Sequence, residues 1–169
     1  ECVEMGLNLR KPDVNISDSC FTVFGPAQIG YGLGALKGLG RQAADSIVAE
    51  RQANGPFTSL HDFCVRVDTR KINKKAVESL IKAGGLDELG VNRPSLLADL
   101  PTAMGGAEQY ARAEEAGQND LFGVAAAPPP IPVERSNLPK WSPRTLYLRE
   151  FEALGLYLSG HPFEQYRAD

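Results

Sequence analysis

The sequence is poor in the residues that bind metals or form disulfides. It has three cysteines and two histidines among 169 residues. Cys2, Cys20 and Cys64 are odd in number and far apart, and no Cys-x-x-Cys spacing occurs. This pattern supports neither a zinc site nor a disulfide framework.

Long apolar runs are also missing. No apolar segment approaches the length of about 18 residues that is typical of a transmembrane helix, and the first residues lack the basic and apolar regions of a signal peptide. We therefore expect a soluble, cytoplasmic protein with no membrane partner. The sequence does not begin with Met, and for that reason we expect a piece of a longer chain.

Catalytic groupings are not recognisable in the sequence. It shows no paired carboxylates, no nucleophile beside a base and no Walker loop, so we assign no catalytic or metal-binding residue. The formal net charge is -3. The chain as a whole is therefore not a basic nucleic-acid binder, and any contact with DNA must come from a local patch.

Glycine, in contrast, is abundant and is concentrated in the sequence G-L-G-A-L-K-G-L-G-R of residues 32–41. Gly38 and Gly40 separate two segments that can be helical, and glycine permits a sharp turn with positive φ. Apolar residues at helical spacing predict a helix over residues 41–52, which ends at the N-G-P sequence of residues 54–56. A glycine turn that opens a helix presents unpaired N–H groups, and these attract phosphate.

Three interpretations of this first turn are open. It is a helix-hairpin-helix that holds a DNA phosphate without reading bases, a dinucleotide-binding fingerprint of the form G-x-G-x-x-A, or a tight turn with no ligand. The fingerprint requires a second strand that ends in an acidic residue. Residues 59–67 instead predict a helix, with Ser59 as N-cap and Asp62 three positions later, and this disfavours the dinucleotide interpretation.

A second helix, glycine turn and helix follow in the sequence. Asn73 is predicted to cap a helix over residues 74–83, a turn follows at residues 84–86, and the next helix is predicted to start near residue 92. This copy lacks the G-x-G spacing and has Asp87 and Glu88 where a phosphate would approach. We expect it to serve mainly as a packing partner, because one short hairpin buries too little apolar surface to be stable alone.

Positive charge is concentrated near both turns. A run of basic residues is often only a solvated helix face, but beside two phosphate-binding turns it also fits DNA. Such contacts are weak, sensitive to salt and independent of base sequence. The predicted DNA-binding residues are Lys37, Gly38, Leu39, Gly40, Arg41, Lys71, Lys74, Lys75 and Lys82.

Four further elements are predicted from local patterns. They are the end of a helix at residues 1–10, a β-hairpin over residues 21–31, a polar alanine-rich helix at residues 107–116, and a helix that Ser142 caps, Pro143 opens and Gly155 ends.

The segment between the last two helices contains a conspicuous apolar pair. Leu121 and Phe122 are flanked by glycines and are followed by the polyproline stretch of residues 128–130. A polyproline segment is extended and does not bury its neighbours. The pair is therefore either a short peptide that docks into a pocket of another protein or folds back onto the domain.

Five segments, taken together and in order, resemble the alpha subunit of bacterial DNA polymerase III, a C-family polymerase. They are residues 31–40, 55–64, 80–87, 117–123 and 154–162. The resemblance covers nearly the whole chain. It corresponds to the end of the fingers, the tandem helix-hairpin-helix region and the sliding-clamp-binding region.

The resemblance implies roles for one short peptide. Residues 118–122 are similar to the internal clamp-binding motif of that family, Q-x-x-[L/M]-F. By this analogy Gln118 makes polar contacts at the rim of the clamp groove, and Asp120 holds the turn of the peptide. Leu121 and Phe122 fill the apolar pocket.

The resemblance also implies an architecture and a set of partners. The fold is expected to be mainly α, a tandem helix-hairpin-helix domain with a small β-hairpin on its N-terminal side and a Pro-rich linker before a C-terminal helix. The expected segments are residues 1–31 (end of the fingers), 32–100 (tandem hairpins), 101–140 (linker with clamp motif) and 141–169 (helix leading to an absent OB-fold). The partners are duplex DNA, the sliding clamp (beta subunit) and other holoenzyme subunits.

The implied parent protein is a DNA-directed DNA polymerase, a nucleotidyltransferase that uses magnesium on palm-domain aspartates. Those aspartates are not placed in this sequence, so the chain alone is expected to be inactive and to need no cofactor. Two alternatives remain: a stand-alone helix-hairpin-helix scaffold, and the DNA-binding part of a repair nuclease or glycosylase. The second alternative would require a catalytic constellation.

Overall fold

The computed structural model describes residues 8–67, 71–115 and 136–160. Within these ranges it has three short strands and five α-helices, which confirms the expected mainly helical fold. The elements are β1 (Asn8–Arg10), β2 (Thr22–Gly25), β3 (Gln28–Gly30), α1 (Gly40–Asn54), α2 (Leu60–Arg66), α3 (Lys74–Lys82), α4 (Arg93–Glu115) and α5 (Pro143–Leu154).

The strands form one small sheet in the order β1-β3-β2. β2 and β3 are antiparallel, which confirms the predicted hairpin, and β1 pairs with β3 in parallel, with Leu9 opposite Ile29. The predicted helix end was wrong for residues 8–10, which form β1. Pairing with the free edge of β3 satisfies the backbone of this segment, and such tertiary pairing overrides a weak local preference. Residues 1–7 lie outside the described ranges.

The core lies among the helices. In α1 the buried residues Ala43, Ala44, Ile47 and Val48 recur at helical spacing, which confirms the predicted helix with slightly wider bounds. They belong to one apolar cluster to which α2, α3 and α4 also contribute, including the fully buried Phe63. This shared core fixes the position of both glycine turns, since each turn joins directly to one of these helices.

Short polar side chains cap three of the helices, as predicted. Ser59, Asn73 and Ser142 each accept a hydrogen bond from the backbone N–H three residues further on. Such a cap stabilises a helix by about 1 kcal/mol. At the other end, Gly55 and Gly155 follow α1 and α5 with φ of 86° and 75°.

The helix α4 is longer than the sequence predicts. It runs without interruption through Pro101 and residues 105–106, so the separate helix predicted at residues 107–116 was wrong. A proline inside a helix costs about 3 kcal/mol. Here Pro101 is exposed, whereas Leu100, Ala103 and Ala107 are buried on the core side, and this packing holds the helix together. The predicted boundary at residue 100 lies inside α4, and the division into segments stays a prediction.

Two hydrogen bonds connect the first glycine turn with the end of α5. The Tyr31 hydroxyl donates to the Leu154 carbonyl at 2.9 Å, and the Lys37 N–H donates to the Ala153 carbonyl at 3.0 Å. Burial raises the pKa of Tyr31, so this hydroxyl stays a donor at neutral pH. The turn is therefore held against a helix more than 100 residues away in sequence.

Among the helices of residues 8–67, 71–115 and 136–160, none combines the length and the apolar composition that a membrane span requires.

Candidate nucleic-acid interface

The first turn has the backbone conformation that its glycines allow. Gly38 and Gly40 have φ of 86° and 74°, in a region that residues with a side chain rarely adopt. Leu33, Leu36 and Leu39 are spaced three residues apart and all three are buried. The leucines anchor the turn to the core and leave Gly38 and Gly40 exposed at the surface.

The start of α1 faces solvent without a side-chain cap. The N-cap residue, Leu39, makes no side-chain hydrogen bond, and the first helical turn of α1 contains no acidic residue. The Leu39 N–H donates a long hydrogen bond of 3.3 Å to the Leu36 carbonyl. The next two residues, Gly40 and Arg41, begin the helix and are both exposed. An uncapped helix start carries partial positive charge and attracts anions.

Two predicted cations flank this turn. The Lys37 ammonium lies 5.8 Å from the centre of the Phe151 ring, a cation–π contact that directs the side chain along α5. Arg41 is exposed, and among the described residues no carboxylate forms an ion pair with it. Its guanidinium is therefore available to an anion at the turn.

The structure brings part of α3 beside the first turn. A Cβ atom on Gly38 would lie 4.0 Å from the Ser79 hydroxyl. Lys75 and Lys82 share a helix face with Ser79, because they precede and follow it by four and three residues. Lys75 is exposed, while the Lys82 ammonium lies 3.3 Å from the Glu152 carboxylate of α5.

The other two predicted lysines differ in their surroundings. The Lys74 ammonium lies 4.0 Å from the Glu78 carboxylate one helical turn away. Lys71 is exposed just before α3, and none of the described contacts links it to the first turn.

The second turn is buried, and a side chain fills the space in front of it. Gly84 has φ of 87°, but residues 83–86 are buried, and a Cβ on Gly84 would clash with the guanidinium of Arg93. Arg93 donates two hydrogen bonds to Asp87, at 3.0 and 3.1 Å. The acidic residue expected to repel phosphate thus neutralises the cation at the start of α4, in keeping with a packing role.

This ion pair belongs to a buried network that the sequence did not reveal. The Glu150 carboxylate is fully buried and accepts from Arg93 at 2.9 Å and from the Ser159 N–H and hydroxyl at 2.9 and 2.6 Å. Lys11 donates to Asp87 at 2.7 Å. The members come from three distant parts of the chain, residue 11, residues 87–93 and residues 150–159, so no local pattern could have identified them.

Charge in this network shifts two pKa values. Burial alone would raise the pKa of Asp87, but hydrogen bonds and charges from Arg93 and Lys11 outweigh it and hold that pKa below its usual value. Burial alone would lower the pKa of Arg93, and here the carboxylates of Asp87 and Glu150 outweigh it and raise the pKa. Asp87 and Arg93 are therefore both charged at neutral pH.

Other candidate chemistry is limited among the residues that the structure describes. Burial raises the pKa of the Cys64 thiol to about 12, which makes it a poor nucleophile. No group of three or more His, Cys, Asp or Glu side chains within the described ranges could hold a metal ion. Gln118, Asp120, Leu121 and Phe122, the predicted clamp-binding residues, lie outside those ranges.

Comparison with known proteins shows to which family the two turns belong. A family model described as a helix-hairpin-helix motif matches residues 6–96, which include both turns. The chain belongs to the helix-hairpin-helix family. The dinucleotide fingerprint is thereby set aside, and the tandem architecture expected from the sequence is confirmed.

The predicted resemblance to the polymerase subunit is also confirmed. The chain is 45% identical over 170 residues to "DNA polymerase III subunit alpha" of Xylella fastidiosa strain Temecula1. It is 41% identical over 167 residues to the proteins of that name from Vibrio cholerae and Escherichia coli K12. These alignments cover 98–99% of this chain, which spans only 14% of the length of each relative.

Proposed function

We propose that this chain binds duplex DNA through its first glycine turn, without reading the base sequence, as part of a replicative DNA polymerase. The observation that carries the proposal is the uncapped start of α1, exposed at Gly40 and Arg41, beside the cations of Lys37 and Arg41. Membership of the helix-hairpin-helix family supports it, and the polymerase relatives favour it over a repair nuclease or a stand-alone scaffold.

The contact follows from the geometry of the turn. A phosphate in front of α1 accepts hydrogen bonds from the backbone N–H groups of Gly40 and Arg41, while Lys37 and Arg41 supply positive charge. Lys75, on the face of α3 beside Gly38, extends the positive surface. Backbone-to-phosphate hydrogen bonds fix position on the duplex and carry no sequence information.

Charge reversal tests this contact. The variants K37E and R41E should weaken duplex binding to a similar degree on unrelated sequences, and each lost phosphate contact should reduce the salt slope by about 0.9. Fluorescence anisotropy with labelled duplexes at several salt concentrations measures both quantities. R112E, the same reversal on an exposed part of α4, is the matched control. A loss confined to one DNA sequence, or an equal loss in R112E, contradicts the proposal.

We further propose that residues 118–122 dock into the sliding clamp, the beta subunit. The support is the sequence itself, an apolar pair at the end of a Q-N-D-L-F segment in a chain whose relatives are named as polymerase subunits. Gln118 and Asp120 would hold the peptide, and Leu121 and Phe122 would fill the apolar pocket. A weak clamp contact and a weak DNA contact on one chain together give long residence on DNA.

Calorimetry with purified clamp tests this second contact. Replacing Leu121 and Phe122 by Ala should abolish measurable binding, because a short peptide gains most of its affinity from a few apolar anchors. Val124→Ala, which removes apolar surface outside the motif, is the matched control. Unchanged affinity in the double variant contradicts the assignment.

The activity of the whole polymerase is proposed for a longer parent chain, in the cytoplasm and together with other holoenzyme subunits. The described residues do not fit the magnesium site of that activity, since they offer no suitable cluster, and no catalytic step is assigned to them. The chain alone should not extend a primer in the presence of magnesium and nucleotides. Primer extension by the pure chain would contradict this assignment.

A further inference from the structure

A basic groove lies between α3, the start of α4 and α5. It has a volume of about 370 Å³ and is lined by three cations, Lys74, Lys82 and Arg149, and by one carboxylate, Glu78. Glu78 lies 4.0 Å from the Lys74 ammonium, so the excess of positive charge comes from Lys82 and Arg149. Trp141 forms part of its wall and is half-buried. Neither Trp141 nor Arg149 was singled out in the sequence, because they approach the lysines of α3 only in the folded chain.

We propose that this groove binds a single, unpaired nucleic-acid strand, with a phosphate on Lys82 and Arg149 and a base stacked on Trp141. The inference rests on the proposed function, since the groove continues the surface of the first turn. It adds a second ligand class, a single strand in addition to the duplex.

The described contacts form a continuous path from the first turn to the groove. Gly38 adjoins Ser79, and Ser79 shares a helix face with Lys82. Lys82 reaches Glu152, to which Arg149 donates as well. A strand leaving a duplex held at the first turn would therefore meet positively charged groups along α3 before it reaches Trp141.

A carboxylate now occupies the position proposed for the phosphate. The two oxygens of Glu152 lie 3.2 Å from the Arg149 guanidinium, and one lies 3.3 Å from the Lys82 ammonium. The Glu152 side chain is 50% exposed, so both ion pairs are screened by water and readily exchanged. The cations are thus arranged around one anion, and a phosphate of the ligand is expected to replace it.

The combination of cations and an aromatic wall favours a single strand over other ligands. In single-strand binding proteins a basic groove follows the backbone while bases stack on aromatic side chains. The bases of a duplex are already stacked on one another and are not free to stack on an indole. An acidic peptide would match the charge but would leave the indole without a stacking partner.

The only tryptophan of the chain provides a direct probe. A dT oligonucleotide of about 12 nucleotides, within the usual site sizes, should quench the Trp141 emission as it binds. W141F should retain binding, measured by anisotropy of the labelled oligonucleotide. W141L should weaken it about tenfold, since it removes the stacking surface.

Charge variants test the phosphate position independently. K82Q and R149Q should each weaken dT binding and reduce the salt slope by about 0.7. E152Q should strengthen binding, because it removes the competing carboxylate and keeps the side-chain volume. R112Q is the matched control: since α4 rises about 1.5 Å per residue, Arg112 lies about 22 Å along the helix from Leu97 in the groove wall.

Several outcomes would overturn the inference. One is an unchanged Trp141 emission on addition of the dT oligonucleotide, and another is an equal loss of dT affinity in R112Q and K82Q. The third is quenching by a poly-glutamate peptide equal to that by dT, which would assign the groove to an acidic protein segment. Duplex binding that still depends on Arg41 would then leave the proposed function intact. Duplex binding that is insensitive to R41E, with dT quenching preserved, would contradict the proposed function alone.

Discussion

Replacing Glu150 by Ala tests whether the buried network holds the ends of the fold together. The carboxylate has no solvent exposure and accepts three hydrogen bonds, one from Arg93 and two from Ser159. Its removal leaves these donors without their acceptor. Removing one partner of a buried ion pair costs about 3–5 kcal/mol. We expect about 3 kcal/mol, because Arg93 keeps both hydrogen bonds to Asp87.

Urea denaturation followed by circular dichroism measures this loss. With a denaturant slope of about 2 kcal/mol per molar urea, the unfolding midpoint of E150A should fall by about 1.5 M. E152A is the matched control, since it removes a glutamate from the same helix whose side chain is half-exposed, and an exposed ion pair contributes less than about 1 kcal/mol. Equal midpoint shifts in E150A and E152A would refute the assignment of a structural role to the buried network.

Three further predictions concern pH and glycine. Because the pKa of Asp87 is held below its usual value, its contribution to stability is present above the unfolded pKa of about 3.9 and is lost as the pH falls through the folded value. D87N should therefore lose less stability than the unchanged chain between pH 5 and pH 2, roughly the range in which carboxylates protonate. Urea unfolding midpoints at each pH measure this loss, and equal losses in the two proteins would contradict the prediction. G40A should cost about 1–2 kcal/mol, because φ is 74° although a Cβ would meet nothing within 4 Å. At Gly105, inside α4, a Cβ would also meet nothing within 4 Å, so G105A should stabilise the fold by about 0.5–1 kcal/mol. If thermal melting shifted the melting temperature in the same direction for both glycine variants, the conformational argument would be refuted.

The sequence predicts best those features that depend on neighbouring residues. The caps at Ser59, Asn73 and Ser142 are each a side chain that bonds a nearby N–H group, so the type of residue is nearly sufficient. The positive φ of Gly38 and Gly40 is similarly local. The helices that follow these signals begin within one residue of the predicted positions.

Features that depend on distant residues were missed. The helix predicted as separate at residues 107–116 is the end of α4, because the buried Leu100 and Ala103 hold this helix together across Pro101. The strand β1 exists because β3 offers a free edge about 20 residues away. Through Asp87 and Arg93, the network of Glu150 joins Lys11 near one end of the described chain to Ser159 near the other. The candidate site combines both kinds of feature: its glycine turn is local, whereas the position of α3 and α5 beside it comes from the core.

The two hairpins differ in what occupies the space in front of them, and this difference assigns them different roles. At the second hairpin Arg93 fills the space beside Gly84, and its charge is balanced by Asp87 and Glu150. A phosphate there would have to displace the fully buried Glu150 carboxylate from Arg93, at a cost of several kcal/mol. At the first hairpin no acidic residue lies in the first turn of α1, and a Cβ on Gly38 would approach only the Ser79 hydroxyl of α3, at 4.0 Å. Because the space in front of the second hairpin is filled by its own side chains, α3 and α5 are fixed to one core. The first hairpin, the proposed DNA contact, is thereby held on a rigid base.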